Sequence, residues 1–221
     1  MAVIAVTGLS AEAAIARRAG LTVVCAGGVP ERTRIALDRA LEGGADGIIS
    51  FGIAGGLAPQ LRPGTLIVAS EVLDTDGKKL PVDEAWAAAV RRVTGALDGP
   101  LLGALTPASS AAAKTALFAR TGALAVDLES LSVAQAARRH GLPWIVLRAI
   151  GDPASRDLPS AALIPLRQDG TADLARILRS LAQHPGQVVG LIRLARDAAS
   201  ALRALRQGAA VAQSALLPPG P

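Results

Sequence analysis

Four charged residues stand where short apolar runs give way to small residues, and their types suit acid–base chemistry. Asp152 follows Arg148-Ala149-Ile150-Gly151 and precedes Pro153, Glu129 lies two residues after Asp127, and Glu12 follows Thr7-Gly8-Leu9-Ser10-Ala11. A protonated carboxyl group can donate a proton, and an ionised one can take a proton or accept two strong hydrogen bonds. Arg148 adds a planar fork that suits oxyanions. Each position also has a structural reading. An Asp before Pro suits a turn, Glu12 and Glu129 suit first helical turns, with Asp127 as an N-cap beside Glu129, and Arg148 suits a buried ion pair at a strand end. Two glycine clusters complete the set. Gly27-Gly28 precedes Val29-Pro30, where backbone N–H groups at a helix start could bind an anion or simply form a tight turn. Gly52-Ile53-Ala54-Gly55-Gly56 reads as a loop whose small residues let backbone approach a ligand closely.

These residues need elements to hold them, and the hydrophobic pattern supplies an alternation. β-Branched or apolar runs at 2–6, 21–25, 47–51, 65–70, 101–105, 123–126 and 143–150 alternate with Ala-rich helical stretches at 11–19, 31–42, 83–97, 109–121, 129–140, 171–182 and 188–207. Strand, turn and helix in repetition predict an α/β fold: a three-layer α/β/α sandwich around a central mixed sheet. In open α/β sheets a ligand lies beyond the carboxyl ends of the strands, so Gly27, Gly52, Asp127 and Asp152 should face one cleft. We expect a catalytic domain over residues 1–184, a C-terminal amphipathic basic helix over 185–207 and a flexible tail over 208–221. The helix carries Leu191, Leu194, Ala195, Ala198, Leu202 and Leu205 on one face and Arg193, Arg196 and Arg203 on another, which suits docking on protein or on an anionic membrane surface.

Composition excludes several classes of function. The formal charge is +5, but 20 of the 23 basic residues are arginines scattered along the chain beside acids, and Phe51, Trp86, Phe118 and Trp144 are the only aromatics, so nucleic acid is not an expected partner. One cysteine, Cys25, and two histidines, His140 and His184, give neither a disulfide nor a zinc constellation, and no metal is expected. The glycine clusters lack the dinucleotide fingerprint and the P-loop lysine, so no nucleotide cofactor is expected. No apolar run reaches the roughly 18 residues needed to cross a bilayer, and the first residues lack the basic start of a secretory signal. A cytoplasmic protein with at most peripheral membrane contact is the expectation.

Four segments in one order resemble the superfamily of purine nucleoside phosphorylases and methylthioadenosine/S-adenosylhomocysteine nucleosidases. They are Val6-Thr7-Gly8-Leu9-Ser10-Ala11-Glu12, Ser50-Phe51-Gly52-Ile53-Ala54-Gly55-Gly56-Leu57, Ala125-Val126-Asp127-Leu128-Glu129-Ser130 and Val146-Leu147-Arg148-Ala149-Ile150-Gly151-Asp152. Within it the chain most resembles the hopanoid-associated phosphorylases, which act on adenosylhopane. The compact middle, Leu105-Thr106-Pro107 ahead of Lys114, and His184-Pro185-Gly186-Gln187 leading into Leu191-Ile192-Arg193-Leu194-Ala195-Arg196-Asp197 carry that likeness.

The resemblance implies cleavage of the N-glycosidic bond of an adenine nucleoside. Asp152 would protonate the imidazole ring of adenine, Glu129 would grip the ribose hydroxyls with Leu128 on the sugar face, Glu12 would sit beside the nucleophile, and Arg148 would support Glu12 or hold a phosphate. Gly52, Ile53, Ala54 and Gly55 would line the ribose and base, and Gly27 and Gly28 fall where the phosphorylases face phosphate. Where Ile53 stands the nucleosidases carry a hydroxyl residue, and their adenine-stacking aromatic falls near Ser109 or Ser110. The nucleophile stays open: Glu12 favours water, the hopanoid-type likeness favours phosphate as co-substrate. Adenosylhopane is the expected substrate, with methylthioadenosine or S-adenosylhomocysteine as the salvage alternative and a homo-oligomer, most simply a dimer, as the expected assembly.

Overall fold

The computed structural model describes residues 2–219; the last two positions of the expected tail lie outside them. The strands are β1 (Val3–Thr7), β2 (Thr22–Cys25), β3 (Gly47–Gly56), β4 (Leu66–Leu73), β5 (Lys79–Pro81), β6 (Leu97–Gly103), β7 (Ala125–Asp127) and β8 (Trp144–Asp152). The longer helices are α1 (Ser10–Arg18), α2 (Pro30–Leu41), α3 (Glu84–Thr94), α4 (Ala111–Thr121), α5 (Ser130–His140), α6 (Leu174–Gln183) and α7 (Val188–Val211). The sheet is mixed: β1 pairs in parallel with β2 and β3, β3 in parallel with β8, and β8 antiparallel with β4. α7 packs against both α1 and α3, and α2 packs with α5. This is the expected α/β/α sandwich on a central mixed sheet.

The sheet does one thing that strand-by-strand reading does not foresee. β4 pairs with β6, β6 with β7, and β7 returns antiparallel to the end of β3 at Gly55 and Gly56, so β3, β8, β4, β6 and β7 close a ring. Closure leaves only β2 and the short β5 as edge strands among the described residues. It also requires a long β3. The segment Gly52–Gly56, expected as a loop, is the second half of that strand, because its carbonyls and N–H groups are claimed by β8 and β7.

β1, β3 and β8 form the apolar spine, with Val3 to Val6, Ile48, Ile49, Phe51 and Trp144 to Ile150 buried. Their continuous burial, rather than alternation, follows from helices on both faces. The helices end where local chemistry dictates. α3 was expected to reach Leu97 but stops at Thr94, since Gly95 turns to φ +66 and Leu97 already belongs to β6. α4 and α5 end the same way at Gly122 and Gly141, and Ser110 caps α4 by accepting from the Ala113 N–H.

The C-terminal segment differs from expectation. α7 docks on β8, β3, α1 and α3, burying Ala201, Leu205, Gly208 and Ala209, while Arg193, Arg196 and Arg203 stay exposed. It runs through Gly208 to Val211, and the chain beyond remains packed: Ala212 and Leu216 are buried, and the Trp86 indole Nε1 donates to the Ala215 carbonyl at 2.9 Å. Gly208 is not a helix breaker here. A Cβ at that position would stand 2.9 Å from Leu66 Cδ1, so glycine is what lets α7 approach β4.

Candidate active site

A cavity of ≈ 200 Å³ opens where β1, β3, β7 and β8 end, and it gathers residues from all four sequence segments. Gly8, Leu9 and Glu12 come from the β1–α1 junction, Ile53, Ala54 and Gly55 from β3, Val126 to Glu129 from the β7–α5 junction, and Asp152 from the end of β8. Gly28 lines it too. Gly27 does not: both glycines adopt φ +68 in a tight turn, and Gly27 packs against the Arg167 carbonyl. Pro107, Ala108, Leu158 and Leu166 close the remaining wall. Ser110, near which the resemblance implies an aromatic in other members, is the α4 cap.

Glu12 is held from three directions. Its Oε2 accepts from the N–H groups of Gly8 at 3.0 Å and Leu9 at 2.8 Å, and its Oε1 accepts from Ile53 N–H at 2.7 Å. The position is half of a capping box: the side chain at the third helical residue returns to the backbone before the helix. Burial raises its carboxyl above the usual carboxylate range, against the lowering pull of Arg148 and those three N–H groups. A carboxylate offers about four acceptor positions, so one is left for a further donor such as water.

Arg148 sits behind the carboxylates, fully buried in β8, and does not line the cavity. It forms an ion pair with Asp127 Oδ2 at 2.6 Å, and its Nη2 donates to Glu129 Oε2 at 2.9 Å and to Ser50 Oγ at 2.6 Å. Asp127 accepts in turn from the N–H and hydroxyl of Ser130. It ends β7 and Glu129 is the N-cap of α5, so the expected N-cap role is replaced by a bond to the first helical residue and the ion pair with the guanidinium. Of the two expected duties of Arg148, support of Glu12 fits its place, since its charge lowers the Glu12 carboxyl. Holding a phosphate does not, because the buried guanidinium is engaged with Asp127, Glu129 and Ser50 and does not line the cavity. Gly52 lies directly beneath this arrangement rather than in the cavity wall: a Cβ there would stand 2.5 Å from Arg148 Nη1 and 2.6 Å from Glu12 Oε1.

Glu129 precedes α5 and keeps Oε1 without a hydrogen-bond partner among the described residues, next to Gly8 and Gly28. Its carboxyl is pushed up to about 7 by burial, against Arg148, with Asp127 and Glu12 adding to the rise. Asp152 is the last residue of β8 rather than a turn residue. The β3–β8 register shifts between Ala54 and Gly55, so that Asp152 instead of Gly151 faces Gly55. Such bulges re-aim a side chain at a strand end. Burial raises the Asp152 carboxyl, while Lys114 and Arg156 work to lower it.

Lys114 is the functional candidate that sequence reading passes over except as a marker of resemblance. It is fully buried in the first turn of α4 and its ammonium group donates to Asp152 Oδ2. One signal was available: Lys78 and Lys79 fall at the start of β5, leaving Lys114 the single lysine inside a helix of a chain that otherwise uses arginine.

Comparison with known proteins agrees with this geometry. The sequence pattern of the Phosphorylase superfamily matches residues 18–183. The chain is 34% identical over 163 residues to futalosine hydrolase of Streptomyces coelicolor, covering 63% of this chain and 69% of that one. It is 25% identical over 167 residues to 5'-methylthioadenosine/S-adenosylhomocysteine nucleosidase of Geobacillus thermodenitrificans, covering 65% and 66% respectively, so the match spans about two thirds of each relative. Among solved structures, the nucleosidase of the same name from Neisseria meningitidis, in complex with methylthio-immucillin-A, superposes with a TM-score of 0.67 at 18% identity, covering 96% of this chain and 99% of that one, a likeness of fold. Fold and cavity together define an enzyme of the nucleosidase and nucleoside phosphorylase class. The chain belongs to the Phosphorylase superfamily.

Proposed function

We propose that this protein hydrolyses the N-glycosidic bond of an adenine nucleoside. The carrying observation is the makeup of the cavity: Glu12, Asp127, Glu129 and Asp152 line it and no Lys, Arg or His does. A phosphate dianion is repelled by carboxylates at close range, so this wall disfavours an incoming phosphate and suits neutral water. The amide groups of Gly8 and Leu9, which could otherwise hold an anion, are taken by Glu12. No cofactor enters the scheme.

In this reading the ribose hydroxyls donate to Glu129 Oε1, which fixes the sugar over Gly8 and Gly28. Water held by Glu12 attacks the anomeric carbon as the C–N bond stretches, and Glu12 takes the proton that water loses. The electron pair of the broken bond passes to the purine, which Asp152 neutralises by giving up its proton. Burial favours this division of labour, since it raises both carboxyls and makes Glu12 a stronger base and Asp152 a donor nearer neutral pH. Asp152→Asn should lower adenine release by about a hundredfold or more while circular dichroism stays native. Near-native turnover by that variant contradicts the assignment.

For the substrate we favour a nucleoside with a large apolar 5' group, as in adenosylhopane. Supporting this are the apolar wall of Pro107, Ala108, Leu158 and Leu166, and the exposed Leu105, Leu163, Leu174 and Leu178 on neighbouring segments. Each buried methylene contributes about 0.8 kcal/mol, and a polycyclic tail has many. The same surface suits peripheral contact with a membrane or with a second copy in a homodimer. Adenine release from detergent-dispersed adenosylhopane should exceed that from methylthioadenosine and S-adenosylhomocysteine at equal concentration. Faster turnover of the small nucleosides makes the protein a salvage nucleosidase.

A further inference from the structure

The nucleosidase reading assigns Asp152 as the acid but leaves unexplained why a lysine with no exposed surface is buried against it. Lys114 has three N–H donors and three acceptors: Asp152 Oδ2, the Pro153 carbonyl at 3.1 Å and the Arg156 carbonyl at 2.9 Å. An ammonium group is satisfied in that cage, whereas a neutral amine, with two hydrogens, is not.

The cage is assembled by two segments stitched together. The chain leaving β8 runs along the N-terminus of α4, where the Ala111 N–H donates to Asp157 Oδ1 at 2.7 Å and the Leu158 N–H donates to the Ser109 carbonyl at 2.7 Å. Arg156 reaches the other way, pairing with Asp197 on α7. The loop after β8 is thus anchored at both ends, and Lys114 lies beneath it.

We propose that Lys114 is the positioning residue for Asp152: its ammonium group clamps Oδ2, so that Oδ1 alone is presented to the purine. Oδ1 accepts no hydrogen bond among the described residues. The clamp fixes the carboxyl's orientation and keeps the proton-bearing oxygen on the cavity side, because a proton on Oδ2 would face the ammonium. It also places a fixed positive charge behind a group whose burial favours the neutral form. The other charged groups that face Asp152 are Arg156 from the loop after β8, and Glu12 and Glu129 across the cavity; Asp157 is tied to the start of α4.

This inference rests on the adenine-nucleosidase reading, and the experiment separates the two. The pH dependence of kcat/KM for adenine release is measured for the wild-type protein, Lys114→Met and Lys114→Arg, with folding checked by circular dichroism. The free-enzyme profile reports the acid's own titration. In wild type the alkaline limb marks loss of the Asp152 proton. With the cation gone, burial acts unopposed by it, so in Lys114→Met that limb should move up by about one pH unit or more, with kcat lowered about tenfold. Lys114→Arg retains the charge and should keep the wild-type limb with a reduced kcat, and this variant decides the matter if Lys114→Met does not fold. A Lys114→Met limb coincident with wild type overturns the proposal, as does a Lys114→Arg limb displaced by a unit or more. No adenine release by wild type from any adenine nucleoside overturns the reading beneath it instead.

Discussion

At the scale of single residues the site is a cluster of surplus negative charge around one guanidinium. Asp127, Glu129 and Glu12 all act on Arg148, so neutralising one carboxylate should relieve the fold while harming substrate binding. Glu129 shows the sign most clearly. Its carboxyl rises from 4.5 to about 7 in the folded protein, so the stabilisation it contributes is present in full below pH 4.5 and is lost as pH climbs through 7. Glu129→Gln, close in shape and unable to ionise, should therefore melt higher than wild type at pH 8 and close to it at pH 4.5. An equal difference at both pH values in thermal unfolding would contradict this. Gly52→Ala tests the same cluster sterically. The new methyl would press on Arg148 Nη1 and Glu12 Oε1, both pinned by several hydrogen bonds, and overpacking of this kind costs about 1–3 kcal/mol. The melting temperature should fall and turnover with it; a neutral substitution would mean that the two side chains can retreat.

At the scale of elements, what the sequence revealed and what it concealed divide by distance along the chain. Glu12, Glu129 and Asp152 were legible because each ends an apolar run within its own segment, so local pattern and resemblance agree on them. The strand and helix alternation was legible for the same reason. The clamp on Asp152 was not, since Lys114 and Asp152 lie 38 residues apart and only the fold joins them. Nor was the second half of β3, because its glycines mimic a loop while their backbone groups are claimed by strands far away in sequence. The C-terminal segment misled in the same manner: residues 208–221 read as a flexible tail, yet Gly208 is the point where α7 meets Leu66. Leu216, fully buried beyond the end of α7, gives that packing a test. Leu216→Ala should destabilise the protein by about 2–5 kcal/mol in denaturant titration, and a change under about 0.5 kcal/mol, typical of surface positions, would return the tail to a dispensable role.

At the scale of the whole molecule, ring closure of the sheet and the bulge after Ala54 bring four distant segments to one cavity, and the helices on both faces hold its floor rigid. No helix among the described residues is long and apolar enough to cross a membrane. Arg176 and Arg179 on α6 and Arg193 and Arg196 on α7 are exposed beside Leu174, Leu178, Val189 and Ile192, a composition that suits peripheral contact with a membrane. In the hydrolytic reading proposed above, the cavity's carboxylates select water as the nucleophile. The direct measurement incubates the protein with the adenine nucleoside it turns over fastest, with and without inorganic phosphate, and follows both adenine and the sugar product. Hydrolysis gives free sugar at a rate indifferent to phosphate. Adenine release that requires phosphate and yields a sugar 1-phosphate would contradict it.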